Sequence, residues 1–133
     1  NTSVLSSEYT KSQVSGVEGN KVEFIPELNF KTGMKFGYKN FLASVQYSYL
    51  SEQFTDASNA VDGVLSGLIG AIPAYDIVDF SISYTYNRRF KLEAGINNVL
   101  DNAYFTRRAT GYPGPGIIPS PNRNYYLTLE IKI

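Results

Sequence analysis

Cysteine, histidine and tryptophan are all missing from this 133-residue chain. Without thiols there are no disulfides and no thiolate metal ligands. Without imidazole the commonest general base and the commonest nitrogen ligand are gone, and so are the hydrolytic constellations built on histidine. No catalytic residue, resident cofactor or metal is therefore expected. Excess charge of either sign is also lacking, with 12 basic against 12 acidic residues. No polybasic tract stands ready for a nucleic acid. Nor is there a Gly-rich phosphate loop, because the glycines around Pro113 follow no strand-to-helix pattern. The chain opens on Asn1-Thr2-Ser3, with no basic and apolar leader region. No apolar run reaches the roughly 18 residues that a membrane-spanning helix needs. Strands remain open as a way across a membrane, since each needs only about 9–11 residues of alternating polarity.

What the chain does have is tyrosine and phenylalanine, 11 and 8 of them, much of it laid out with a period of two. In the closing stretch Tyr125, Leu127, Leu129, Ile131 and Ile133 alternate with Tyr126, Thr128, Glu130 and Lys132. Such a segment is a strand with one apolar and one polar face. The same alternation runs from Leu28 through Phe30, Met34 and Phe36 to Tyr38, and returns from Phe41 through Val45 to Tyr49 after Lys39-Asn40. Two alternating runs joined by a two-residue link predict a β-hairpin. A second hairpin is predicted from Val78 to Tyr86, then Phe90 to Ile96, around Asn87-Arg88-Arg89. Residues 2–12 predict a weaker strand, 13–20 a loop and 21–25 an extended piece. Residues 51–75 and 98–121 are long connections, and the apolar run over 64–72 reads as a mobile lid or a short helix.

Connections thus alternate between tight turns and long loops, and the six prolines lie outside the well-marked strands, where no ladder hydrogen bond is lost. Alternation alone fits a soluble sandwich as well as an outer-membrane barrel. Short turns at one rim and long loops at the other favour the barrel, with the short turns periplasmic and the long loops extracellular. Tyr38, Phe41, Tyr86 and Phe90 would then form an aromatic girdle at the short-turn rim. Phe36, Val45, Tyr47, Phe80, Ile82, Leu92, Ala94, Leu127, Leu129 and Ile131 are expected to face lipid. Lys35, Ser44, Gln46, Ser81, Ser83, Glu93, Thr128 and Glu130 are expected to face the lumen.

Several motifs carry a family resemblance. Gly95-Ile96-Asn97-Asn98-Val99-Leu100-Asp101, Tyr104-Phe105 and the closing strand resemble the C-terminal end of TonB-dependent outer-membrane receptors. Tyr104-Phe105-Thr106-Arg107-Arg108, followed by Gly111-Tyr112-Pro113-Gly114-Pro115-Gly116, is similar to the ferric dicitrate-type subgroup. So are Ser51-Glu52-Gln53-Phe54-Thr55-Asp56 and Ala71-Ile72-Pro73-Ala74-Tyr75. The resemblance implies a barrel of about 22 strands closed by a plug, importing a scarce iron chelate or cobalamin with energy from TonB. With about six strands, residues 1–133 are expected to be the C-terminal part of such a barrel in a bacterial outer membrane. The plug and the earlier strands would lie outside them. Implied partners are the remaining barrel and plug, the TonB complex reached through the missing N-terminal part, and the lipid bilayer. One departure stands out: the family usually ends in phenylalanine, and this chain ends in Ile133.

For ligand contact the candidates are Arg107, Arg108, Tyr104 and Tyr112. Guanidinium binds the carboxylate oxygens of an anionic chelate through charge-assisted hydrogen bonds. The tyrosines, with Phe105, would line an extracellular vestibule, with interface belting or loop packing as an equal alternative. Pairing of an arginine with Asp101, or exposure to solvent, is the plainer alternative. Asp56, Asp62 and Asp76 offer hard oxygen ligands, but their spacing matches no cation loop, so solvated carboxylates are expected. Lys31, Lys35, Lys91, Glu93, Glu130 and Lys132 are expected to pair with each other or with the plug. The transported ferric chelate would be a ligand, not a cofactor. A barrel serving a glycan or peptide importer with a surface lipoprotein is the alternative function.

Overall fold

A computed structural model of the chain describes residues 1–109 and 114–132. Its strands are β1 (Thr2–Val4), β2 (Leu28–Tyr38), β3 (Phe41–Leu50), β4 (Tyr75–Tyr86), β5 (Phe90–Asn97), β6 (Phe105–Ala109), β7 (Gly116–Pro119) and β8 (Asn124–Ile131). Six of them form one antiparallel sheet in the order β1-β2-β3-β4-β5-β8, and β6 and β7 pair separately. Among the described residues the sheet is open, and β1 and β8 each keep one unpaired edge. The two tight turns differ in kind. Lys39 takes a left-handed φ of 52° between β2 and β3. Asn87 and Arg88 both do so between β4 and β5, at 48° and 56°, the conformation that matches a two-centre turn to strand twist.

Register makes the two faces continuous across strands. Phe36 sits opposite Ala43, Ala43 opposite Ile82, Ile82 opposite Ala94, and Ala94 opposite Leu127. One residue along, Lys35 pairs with Ser44, Ser44 with Ser81, Ser81 with Gly95 and Gly95 with Tyr126. Every residue expected on the lipid side shares the first face, and every residue expected on the lumen side shares the second. A slip of one residue anywhere would exchange the two sets.

Little apolar side chain is packed away. Among the described residues the buried hydrophobics are Val17, Ala71 and Ile72, all of them in loops. The sheet's apolar face is bare, with Leu127 72% and Leu129 60% exposed. Among the described residues no second sheet or helix covers it, as the barrel reading requires.

Three expectations need correction. The weak strand over 2–12 shrinks to Thr2–Val4, because from Leu5 onward the backbone bonds to its own loop. Leu5 N donates to Glu27 O, Tyr9 N to Asn20 O and Gly19 N to Tyr9 O. Residues 21–25 form no strand; Phe24 has a left-handed φ of 58° and its N–H donates to Phe54 O. The long connection over 98–121 is not structureless, since it contains the β6–β7 hairpin.

Candidate functional site

All three long connections (residues 5–27, 51–74 and 98–123) rise from one rim of the sheet. The last is rooted in a polar knot. Asn98, with a left-handed φ of 53°, is only 2% exposed. Its N–H donates to Asp79 Oδ1 at 2.9 Å, its Nδ2 donates to Asn102 O at 2.9 Å, and its Oδ1 accepts from Asn102 N at 3.0 Å. Asn102 Nδ2 in turn donates to Asp76 O and Oδ1 at 2.9 and 3.1 Å. Asp101 Oδ1 accepts from Arg123 N at 2.9 Å, so the carboxylate proposed as an arginine partner caps the start of the closing strand instead. The Asn98–Asp101 motif that carried the resemblance is thus a structural clasp. Of its partners, Asp76 was weighed in the sequence only as a cation ligand, and Asp79 reads there as an ordinary polar residue on a strand.

Beyond the knot the hairpin leans over the polar face. Tyr104 stacks on Tyr75 with ring centroids 4.7 Å apart. A cavity of about 390 Å³ lies beneath, lined by Asn29, Lys31, Gln46, Ser48, Tyr75 and Tyr104 among others, with Thr106 also on its wall. Lys31 has no carboxylate within ion-pair distance among the described residues, and neither does Lys35. Further toward the short-turn rim the same face does pair its charges, Lys91 with Glu93 at 2.7 Å and Lys132 with Glu130 at 3.7 Å. Tyr126 Oη adds a hydrogen bond to Glu93 Oε1 at 3.2 Å.

The predicted ligand residues part company here. Tyr104 lines the cavity. Arg107 is exposed and makes no ion pair among the described residues. Arg108 is turned to the neighbouring loop, where its Nη1 donates to Gly67 O and its Nη2 to Ala71 O, both at 2.9 Å. Tyr112 lies outside the described residues, as do Gly111 and Pro113 of the Gly111–Gly116 turn. The run over 64–72 forms no helix; it folds back on itself, with Ile72 bridged to Gln53 and Thr55 Oγ1 donating to Gly70 O at 2.8 Å. Asp56, Asp62 and Asp76 form no cation-holding group among the described residues. Asp56 Oδ2 instead accepts from Ser58 N and Ser58 Oγ. The first and second loops are also joined. Lys21 N donates to Asn59 Oδ1 at 2.7 Å, and Asn59 Nδ2 donates back to Lys21 O at 2.8 Å.

Comparison with known proteins places this architecture. The family model described as TonB dependent receptor-like, beta-barrel matches residues 2–99. The ferric citrate transporter FecA in its unliganded form superposes with a TM-score of 0.79 at 24% identity, over 88% of this chain and 18% of that one. The siderophore receptor PiuA from Acinetobacter baumannii gives 0.71 at 20% identity, over 91% of this chain and 17% of that one. The ferric yersiniabactin uptake receptor FyuA from Yersinia pestis gives 0.76 at 16% identity, over 98% and 20%. At these identities the likeness is one of fold. This chain spans a fifth or less of the length of each of the three.

Proposed function

Because this chain belongs to the TonB-dependent receptor β-barrel family, whose barrels sit in bacterial outer membranes, we propose that it supplies wall and outer loops to a transporter importing a ferric chelate. The rest of the barrel, a plug and the TonB complex are the partners this reading needs, and residues 1–133 are its C-terminal part. The observation that carries the reading is the rim cavity. It lies on the polar face, at the loop-bearing rim, and joins an ammonium group that is unpaired among the described residues to hydroxyl, amide and phenol donors. The one carboxylate on its wall, Asp79, is engaged by the Asn98 N–H.

A ferric chelate of the citrate or siderophore class presents oxygens that bear negative charge and a compact, partly apolar body. Lys31 meets the charge, Gln46, Ser48 and Thr106 offer hydrogen bonds, and the Tyr75–Tyr104 pair supplies a flat amphipathic wall. Arg107, exposed on the hairpin, is a second cation on the loop that carries Tyr104, and Tyr112 belongs to the same loop. The names of the three similar structures, which concern ferric citrate, a siderophore and ferric yersiniabactin, favour this class over a glycan or peptide.

Ferric citrate serves as the probe, bound to the receptor that carries this chain. Lys31→Ala and Arg107→Ala each remove a charged partner, and each is expected to weaken binding by roughly tenfold, with the barrel still assembled. Unchanged affinity in both variants sinks the cavity assignment. A stoichiometric surface lipoprotein recovered with a receptor that ignores ferric probes would point to the glycan or peptide importer instead.

A further inference from the structure

We propose that Arg108 is a positioning residue, a strap that ties the β6–β7 hairpin to the turn over residues 61–72, so that the cavity's roof and the second outer loop move as one body. The proposal rests on the transport reading only in taking the cavity for a ligand site. The coupling itself follows from geometry.

Two carbonyls four positions apart, those of Gly67 and Ala71, are brought side by side by the turn, and the guanidinium spans them with two 2.9 Å bonds. A planar fork can do this; a lysine ammonium group, a single point on a flexible stem, cannot hold both in the same way. The turn is shaped to receive the fork. Gly67 and Gly70 have φ of 70° and 136°, and a Cβ at Gly70 would stand 2.9 Å from Arg108 Nη2 and 3.0 Å from Gly63 Cα. A Cβ at Gly63 would stand 3.7 Å from Nη1. On its own side the guanidinium lies 5.4 Å from the centroid of the Phe105 ring, one residue beyond the Tyr104 that roofs the cavity.

Among the described residues no carboxylate lies within ion-pair distance of Arg108, and none of them offers an acceptor to its buried Nε. Peptide dipoles and a ring face therefore hold the cation. That is enough to fix a loop, and weak enough to let it go without breaking an ion pair. The first loop is attached by a different device, the reciprocal Asn59–Lys21 bonds, joined by Asn20 Nδ2 donating to Ala57 O at 2.9 Å. Because the two clasps share no residue, each can be cut alone.

Spin labels on introduced cysteines read the coupling directly in the full receptor, and this chain contributes no cysteine of its own. Leu65 and Val14 are exposed, as is Pro115 beside the hairpin. A label pair at 65 and 115 reports the strap, and a pair at 14 and 65 reports the Asn59 clasp. Arg108→Gln is expected to broaden the 65–115 distances, with the docked fraction falling roughly tenfold for each charge-assisted bond lost, and to leave the 14–65 distances alone. Arg108→Lys should fall between. Gly70→Ala, which keeps the charge but fills its seat, should reproduce Arg108→Gln, and Asn59→Ala should broaden only the 14–65 distances. An unchanged 65–115 distribution in both Arg108→Gln and Gly70→Ala overturns the strap. Broadening of both distances together in Arg108→Gln also overturns it, because Arg108 would then support the loops' general fold. These readouts need no ligand, so either failure leaves the transport reading standing. Lost strap coupling with normal ferric citrate binding, or the converse, separates the two.

Discussion

At the scale of single residues, the chain's polar side chains spend much of their hydrogen-bonding capacity on its own backbone. Asn98 is the clearest case. Its left-handed φ suits asparagine better than most residues, and its side chain fastens both the donor and the acceptor of Asn102. Asn98→Ala removes both bonds and strains the backbone, whereas Asn98→Gly removes the bonds and relieves the strain. Destabilisation of the loop root by roughly 2–4 kcal/mol is expected for alanine, and about 1 kcal/mol less for glycine. Limited proteolysis of the loop over 99–123 in the assembled receptor measures this order. Equal cleavage in wild type and Asn98→Ala would remove the knot from any role in anchoring the loop. This asparagine was visible in the sequence as part of a motif, but its purpose was not. Which backbone groups a side chain caps depends on loop conformation, and local composition does not encode that. Arg108 shows the same limit: its charge suggested an anionic ligand, while its partners in the fold are two peptide carbonyls.

At the scale of elements, legibility followed the strength of the period. β2, β3, β4, β5 and β8 were readable because one face had to be apolar throughout, and their observed ends fall within a few residues of those expected. The β6–β7 hairpin was not readable. It is short, has a register shift between Phe105 and Arg107, ends at Pro119, and is held by Arg108 and the Tyr75–Tyr104 stack instead of an alternating face. The turn over 61–72 hid for a similar reason: its apolar run suggested a lid or a helix, it forms no helix, and its glycines lie against the Arg108 guanidinium. Alternation makes a sharp prediction for the regular strands. Leu127 and Thr128 are neighbours on β8 that point to opposite faces. Leu127→Lys places an ammonium group against lipid midway along the strand, at an expected cost of roughly 2–4 kcal/mol. Thr128→Lys enters the polar face beside Glu93 and should cost little. Urea titration of the refolded receptor in lipid vesicles distinguishes them, and equal destabilisation would mean that the apolar face does not meet lipid.

For the molecule as a whole, the sheet is expected to be stable only in company. A soluble domain of this length would bury a large share of its apolar side chains. Here the sheet's apolar face is bare, and the buried hydrophobics among the described residues sit in the loops. Among those residues two sheet edges also lack partners, and unpaired backbone groups cannot be left in a bilayer, where each costs several kcal/mol for want of water. Lipid can cover the face, but only more strand can satisfy the edges. A barrel closed from six strands would be smaller than the roughly eight at which bacterial barrels begin. Residues 1–133 refolded alone into lipid vesicles are therefore expected to give no heat-modifiable band on an SDS gel, and no protease-protected strands. Refolding together with the remainder of the receptor should restore both, because β1 and β8 then find neighbours and close the ladder. A compact, heat-modifiable species from this chain alone would show that it closes on itself or on copies of itself. In that case the barrel it belongs to would be a small one, without the width for a plug.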